Sequence, residues 1–195
     1  MRRRIPEILT PEEQTRLLGE LEPTDCPSRL RNLALIRVML NAGLRAREVR
    51  ELKRQNLDLR TGRLKVRGKG GRERVLWLNE NDLALVQSWL DYLGTSSNQS
   101  SSNLLFTSLD GRRPICGRWL RSMVKRLGEK AGIDRRLHPH LLRHTFATNL
   151  LKYTKNLFLV SKALGHANLA TTQIYLHLVD GELEAAMKGM NNGNP

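Results

Sequence analysis

Cysteine, acidic residues and long apolar runs are all scarce in this sequence. Only Cys26 and Cys116 occur, far apart and with no CxxC pair. That excludes a disulfide framework and a structural zinc, and it points to a reducing cytoplasm. No apolar run approaches the about 18 residues of a membrane span, and the basic "MRRR" start lacks the apolar segment of a signal peptide. A soluble, intracellular protein is expected. Against 19 Asp and Glu stand 33 Lys and Arg, a net charge of +14 in 195 residues. Such an excess points to an anionic polymer, most often nucleic acid. A non-specific basic protein is the bland alternative, but 39% of the residues are apolar and periodically spaced, which predicts a buried core.

Residues 1 to 9 read as a basic arm. "TPEEQTRLLGEL" predicts a helix with Thr10 as N-cap, Pro11 at the first helical position and Glu13 completing a capping box. From Ser28, "RLRNLALIRVMLNAG" is apolar over most of its circumference, so a central helix stopped by Gly43 is expected. "LRAREVREL" predicts a shorter helix. The period then changes: Leu64 and Val66 alternate with Lys65 and Arg67, and Val75 to Leu78 follow Gly68 to Gly71. That is a β-hairpin with a basic, glycine-rich tip.

Leu83, Val86, Trp89, Leu90 and Leu93 mark the next helix, and residues 95 to 103 a polar loop too short to divide two domains. "LLFTSLDGRRP" reads as a short strand and turn. Trp119, Leu120, Met123, Val124 and Leu127 predict a helix whose other face carries Arg118, Arg121, Lys125 and Arg126. Further helices are expected after Pro139, over "NLFLVSKALG" and at 181 to 190, where Leu183, Met187 and Met190 share a face. The fold class is mainly α with a small antiparallel sheet, in one domain over 10 to 195.

Several polar groups punctuate this frame. Arg45 follows the Gly43 stop, Lys69 stands at the hairpin tip, and His140 and Arg143 are three apart on one helix face. His166, in "LGHANLATTQIYLH", precedes Tyr175 by nine residues. Singly, each has an ordinary explanation: solvated charge, exposed turn, capped helix or packed aromatic. His140 and His144, four apart, also resemble a metal pair, but no glutamate follows the first histidine and no third ligand is evident.

Together and in this order, the groups resemble the catalytic domain of the tyrosine recombinases, the phage-integrase family, and most closely its Xer-type members. "GLRxxE", a hairpin lysine, "HxxR", "LGH" and a tyrosine nine residues on carry the likeness, which runs from about residue 5 to 190. It implies a DNA breaking-rejoining fold. It also implies catalytic roles for Arg45, Lys69, His140, Arg143, His166 and the nucleophile Tyr175, with Glu48 bracing Arg45.

These residue types suit that chemistry. Attack on a phosphodiester builds charge on two non-bridging oxygens, which guanidiniums grip with a fork that lysine cannot imitate. The Tyr175 phenol must lose its proton as it attacks, with His140 a reasonable acceptor or phosphate partner. His166 would donate to a non-bridging oxygen, and Lys69 would protonate the departing 5′ oxygen. A 3′-phosphotyrosine conserves the bond energy, so neither ATP nor a metal cofactor is expected.

The resemblance further implies double-stranded DNA as partner, nucleoid association, and weak self-association into tetramers on DNA through the 181–190 helix, the alternative being that this helix folds back on its own core. Relatives place a DNA-clamping domain before the catalytic one, and none is expected here. Asn149 stands where many relatives have histidine and reads as a packing position. The rival readings are a type IB topoisomerase and a non-catalytic DNA-binding regulator.

Overall fold

The helix with no polar face becomes the axis of the molecule. A computed structural model describes residues 6–22, 26–95, 102–166, 168 and 171–178. In it α2 (Pro27–Ala42) buries Leu33, Leu35, Ile36, Val38 and Met39, which lie all round its circumference. Such a helix needs partners on several sides. It finds them in α4 (Glu80–Thr95) and α6 (Pro139–Thr154). Pro11 opens α1 (Pro11–Gly19), and the Thr10–Glu13 capping box forms as expected.

Beyond Gly43 the chain turns into α3 (Ala46–Glu51). The hairpin follows as β1 (Arg63–Arg67) and β2 (Glu73–Trp77), antiparallel, with Leu64 opposite Leu76 and Val66 opposite Arg74. Its tip is a 3₁₀ turn, Lys69–Gly71. The remaining helices are α5 (Gly117–Lys130) and α7 (Leu157–Leu164), and Tyr175 lies in a 3₁₀ helix, Gln173–Leu178. Polar loop residues 96–101 and the expected helix at 181–190 lie outside the described residues.

Three details differ from expectation. "LLFTSLDGRRP" forms no strand; its β pairing is limited to isolated bridges, Lys53 to Leu104 with a neighbouring segment and Thr107 to Pro114 within the stretch itself. The turn expected after it does form, held by the Ser108 side chain and backbone against Arg113. The end of the arm is anchored: Leu9 is buried, its N–H bonds Thr145 Oγ1 at 2.9 Å, and Arg135 holds both the Ile8 carbonyl and Glu13. Asn149 is exposed rather than packed, and its amide donates to Gln14 Oε1 at 3.4 Å.

Gly43 shows how tightly the α2–α6 junction is built. Its φ of 59° is left-handed, and an added Cβ would fall 2.2 Å from Cδ1 of Phe146. Gly43→Ala is expected to lower stability by ~2–4 kcal/mol, from backbone strain and ring displacement together. Denaturant unfolding of the two proteins measures it, and an unchanged midpoint would contradict this packing.

Candidate active site

The turn after α2 delivers the first charged group. Gly43 ends the helix, Leu44 buries itself, and Arg45 becomes the extended N-cap of α3. Glu48, one turn on, accepts the Arg45 backbone N–H at 2.8 Å and its Nη1 at 2.9 Å. Glu48 is itself buried and is also gripped by Arg74 of β2, Nη1 to Oε1 at 2.9 Å and Nη2 to Oε2 at 2.8 Å. Burial alone would raise the Glu48 pKa. The Arg74 fork, the Arg45 N–H and the Arg143 charge outweigh it and hold the carboxyl at about 2.

Arg143 comes from the buried face of α6. Its Nη1 donates to the Gly43 carbonyl at 2.7 Å and its Nη2 to the Leu164 carbonyl at 2.6 Å. One guanidinium thereby joins the end of α2 to the end of α7, and Nη1 stands 3.8 Å from Glu48. Burial, then the neighbouring Arg45, pulls its pKa down to about 10, so it stays charged at neutral pH.

Gly165 closes α7 in the left-handed conformation and turns His166 back towards Arg143. Arginine carries donors only, so His166 Nε2 must be the acceptor in the 3.3 Å contact with Arg143 Nη2. The ring proton then sits on Nδ1 and donates to Thr172 Oγ1 at 2.9 Å. Burial first, then Arg143, Arg45 and Arg74, depresses the His166 pKa to about 4. The imidazole is therefore neutral until a negative charge arrives.

Tyr175 is 2% exposed, within a small cluster formed by Ala147, Leu151, Val160 and Leu164. Burial raises its pKa to about 12, against a weaker opposing pull from Arg143. Its hydroxyl lies 2.6 Å from His144 Nδ1. Burial lowers the His144 pKa as well, so the imidazole beside the phenol is neutral at neutral pH. His140, in the first turn of α6, is exposed, and its ring meets that of His138 edge-on. Lys69 lies at the hairpin tip, and its side chain is outside what the structure describes.

The structure thus gathers Arg45 and Arg143 around Glu48, sets His166 against Arg143, and brings the Tyr175 hydroxyl to His144, the residue after Arg143 on α6. Sequence reasoning missed three members. Arg74 had a usable signal: it shares the alternation phase of Leu76 and Leu78, an arginine where the strand should be apolar. His144 was visible only as a possible metal ligand, and Thr172 carried no signal. Among the described residues, no group of three His, Cys, Asp or Glu side chains could hold a metal ion.

The depressed histidines set an acid limit on stability. His140 and His144 are lowered, and His166 falls from 6.5 to about 4. As pH drops from 6.5 towards 4, the unfolded chain takes up protons that the folded chain refuses, so stability falls. Glu48 adds a second loss below its ordinary 4.5, as pH approaches 2. Thermal melts between pH 8 and 4 should decline from about pH 6.5 downward; a flat profile to pH 5 would contradict these environments.

The chain matches the phage integrase family over residues 7–182. It is 40% identical over 176 residues to the tyrosine recombinase XerC of Salmonella typhi, covering 90% of this chain and 57% of that one. The chain therefore spans little more than half the length of the curated relatives it matches. Among solved structures it is similar to the XerA recombinase, with a TM-score of 0.79, 32% identity, and 99% and 68% of the two chains covered. It is also similar to the XerH site-specific recombinase bound to difH substrate in a pre-cleavage complex, with a TM-score of 0.81, 30% identity, and 96% and 55% covered. The mainly helical domain with its two-stranded sheet is the tyrosine recombinase catalytic fold.

Proposed function

Since this chain belongs to the phage integrase family, we propose that it is a site-specific DNA recombinase, cleaving and rejoining strands through a 3′-phosphotyrosine at Tyr175. The observation that carries the reading is the Arg143 guanidinium, buried and immobilised by two backbone carbonyls beside Arg45 and His166. Two fixed guanidiniums and an imidazole make a phosphate clamp prepared before substrate arrives.

In the proposed reaction, the scissile phosphate sits on Arg45 and Arg143. Its charge favours protonation of His166, whose Nε2 then turns from acceptor to donor towards a non-bridging oxygen. Tyr175 moves out of its apolar cluster to attack. The Tyr175 oxygen–phosphorus bond forms, the bond to the 5′ oxygen breaks, and Lys69 protonates that oxygen. The phenolic proton passes to His144 Nδ1, which lies 2.6 Å from the hydroxyl at rest. Exposed His140 is left to contact the phosphate.

Double-stranded DNA is the proposed partner, reached along α3. That helix is ~9 Å long, and at its far end Arg50 and Arg121 both lie beside Gly117, at the start of α5. Arg118, Arg121, Lys125 and Arg126 extend the charge along the exposed side of α5. For self-association on DNA, the cleft of about 1500 Å³ between the hairpin and α6–α7 offers Trp77, Phe146, Leu150 and Leu159. The apolar side of the 181–190 segment from a neighbouring subunit, with Leu183, Met187 and Met190, suits that lining. No described helix is long and apolar enough to cross a membrane.

The test is incubation with nicked suicide duplexes randomised around the nick, followed by recovery of SDS-stable adducts. An adduct attached through the DNA 3′ end, formed equally in EDTA, is expected. No adduct from any duplex would favour a DNA-binding regulator. An adduct that only reseals its own strand, with no exchange between duplexes, would favour a topoisomerase.

A further inference from the structure

Arg74 belongs to no part of the reaction just described, yet it touches three of the elements that build the site. It pairs with Val66 on the inward side of the hairpin, and its side chain is 8% exposed. Both terminal nitrogens are taken by Glu48, at 2.9 and 2.8 Å, and Nε donates to the Ala163 carbonyl at 2.8 Å. Its stem lies so close to the turn before His166 that a Cβ on Gly165 would come within 3.0 Å of Arg74 Cδ.

Charge bookkeeping gives these contacts a purpose. Arg45, Arg74 and Arg143 carry three positive charges and Glu48 one negative, leaving two in excess. A phosphodiester gains a second negative charge as it is attacked, so two free cations are what the clamp needs. Arg74 covers both oxygens of Glu48 with a bidentate fork, the geometry in which one cation best satisfies one carboxylate. Without it, the Glu48 carboxylate would be offset by Arg45 and Arg143 alone, and the clamp would be left with one net positive charge in place of two. The Nε contact acts on the third group: Arg74 and Arg143 bond adjacent carbonyls, Ala163 and Leu164, at the end of α7. Cations belong at that end of a helix, and here they fix the turn that presents His166.

We propose that Arg74 is a positioning residue for the phosphate clamp, offsetting the Glu48 charge so that Arg45 and Arg143 keep a net positive charge for the phosphate, and anchoring the turn that carries His166. The proposal rests on the recombinase reading above and concerns how that site is held.

The test compares wild type, Arg74→Met, Arg74→Lys and the double variant Arg74→Met/Glu48→Gln. Adduct formation is followed on the best nicked duplex recovered from the randomised pool, at saturating DNA. Arg74→Met should slow adduct formation by ~10²-fold, comparable to losing one clamp donor. The double variant should regain at least half of that loss on a logarithmic scale, because the uncompensated carboxylate leaves with its partner. Arg74→Lys keeps the charge but not the fork, and should fall between wild type and Arg74→Met. A merely structural clamp predicts the reverse: the double variant, having lost more contacts, would be no faster than the single one.

The His166 titration, followed by NMR without DNA, is a second readout independent of catalysis. Removing Arg74 should raise the His166 pKa, and removing Glu48 as well should bring it back towards the wild-type value. Wild-type rates from Arg74→Met, or a folded double variant with no recovery, would overturn the proposal. Should Arg74→Met fail to fold, the order of Arg74→Lys and the double variant decides. Should wild type form no adduct at all, the recombinase reading fails, and the His166 titration alone decides the role of Arg74.

Discussion

Tyr175→Phe is expected to eliminate the covalent protein–DNA adduct, by ~10⁴-fold or more, while the protein remains folded and binds DNA as before. Loss of a nucleophile removes the reaction rather than slowing it. The other two expectations come from the local structure. The ring lies in an apolar cluster with Ala147, Leu151, Val160 and Leu164, which phenylalanine fills equally well. Only the hydroxyl contact with His144 is lost, costing ~1 kcal/mol of stability. At 2% exposure the resting tyrosine has almost no surface to offer DNA. SDS gels of suicide reactions and mobility shifts at matched salt measure the two effects. Adduct at the wild-type level would show that another residue is the nucleophile.

Arg143→Lys should reduce adduct formation by ~10²–10³-fold, the range for losing a preorganised oxyanion donor. This arginine does two things at once: it donates to the Gly43 and Leu164 carbonyls, and it faces His166. Lysine keeps the charge, but a single ammonium cannot span two carbonyls that a planar fork reaches together. At least one buried carbonyl is left unpaired, at a cost of ~1–3 kcal/mol. Melting temperature and cleavage rate should therefore fall together in Arg143→Lys. Arg45→Lys should lose cleavage with a smaller change in melting temperature, because Arg45 is partly exposed and Glu48 keeps Arg74. Equal melting losses in both variants would show that Arg45 is as deeply built into the structure as Arg143.

Wherever a local rule decides conformation, the sequence alone was sufficient. The Thr10–Glu13 capping box, the Gly43 stop, the all-round apolar α2 and the alternating hairpin are short-range patterns, and each formed as expected. The order of Arg45, Lys69, His140, Arg143, His166 and Tyr175 is likewise a property of the chain, and it was enough to suggest a phosphodiester chemistry.

Contacts between distant segments had no such local signature. "LLFTSLDGRRP" has strand-like composition but lacks a continuous neighbour to pair with, so only its turn, on Ser108, forms as expected. Arg74 and Glu48 are 26 residues apart, and Tyr175 and His144 are 31 apart. Neither pair follows from spacing on one helix or strand. The resting partner of Tyr175 is set by how the 3₁₀ helix at 173–178 packs on α6, which brings the phenol to His144 and leaves His140 in solvent. Residue types and their order therefore pointed to the chemistry proposed for this chain. Only the tertiary structure decided which groups share a charge, which carbonyls hold the arginines and which histidine holds the phenol, because those depend on packing between elements remote in sequence.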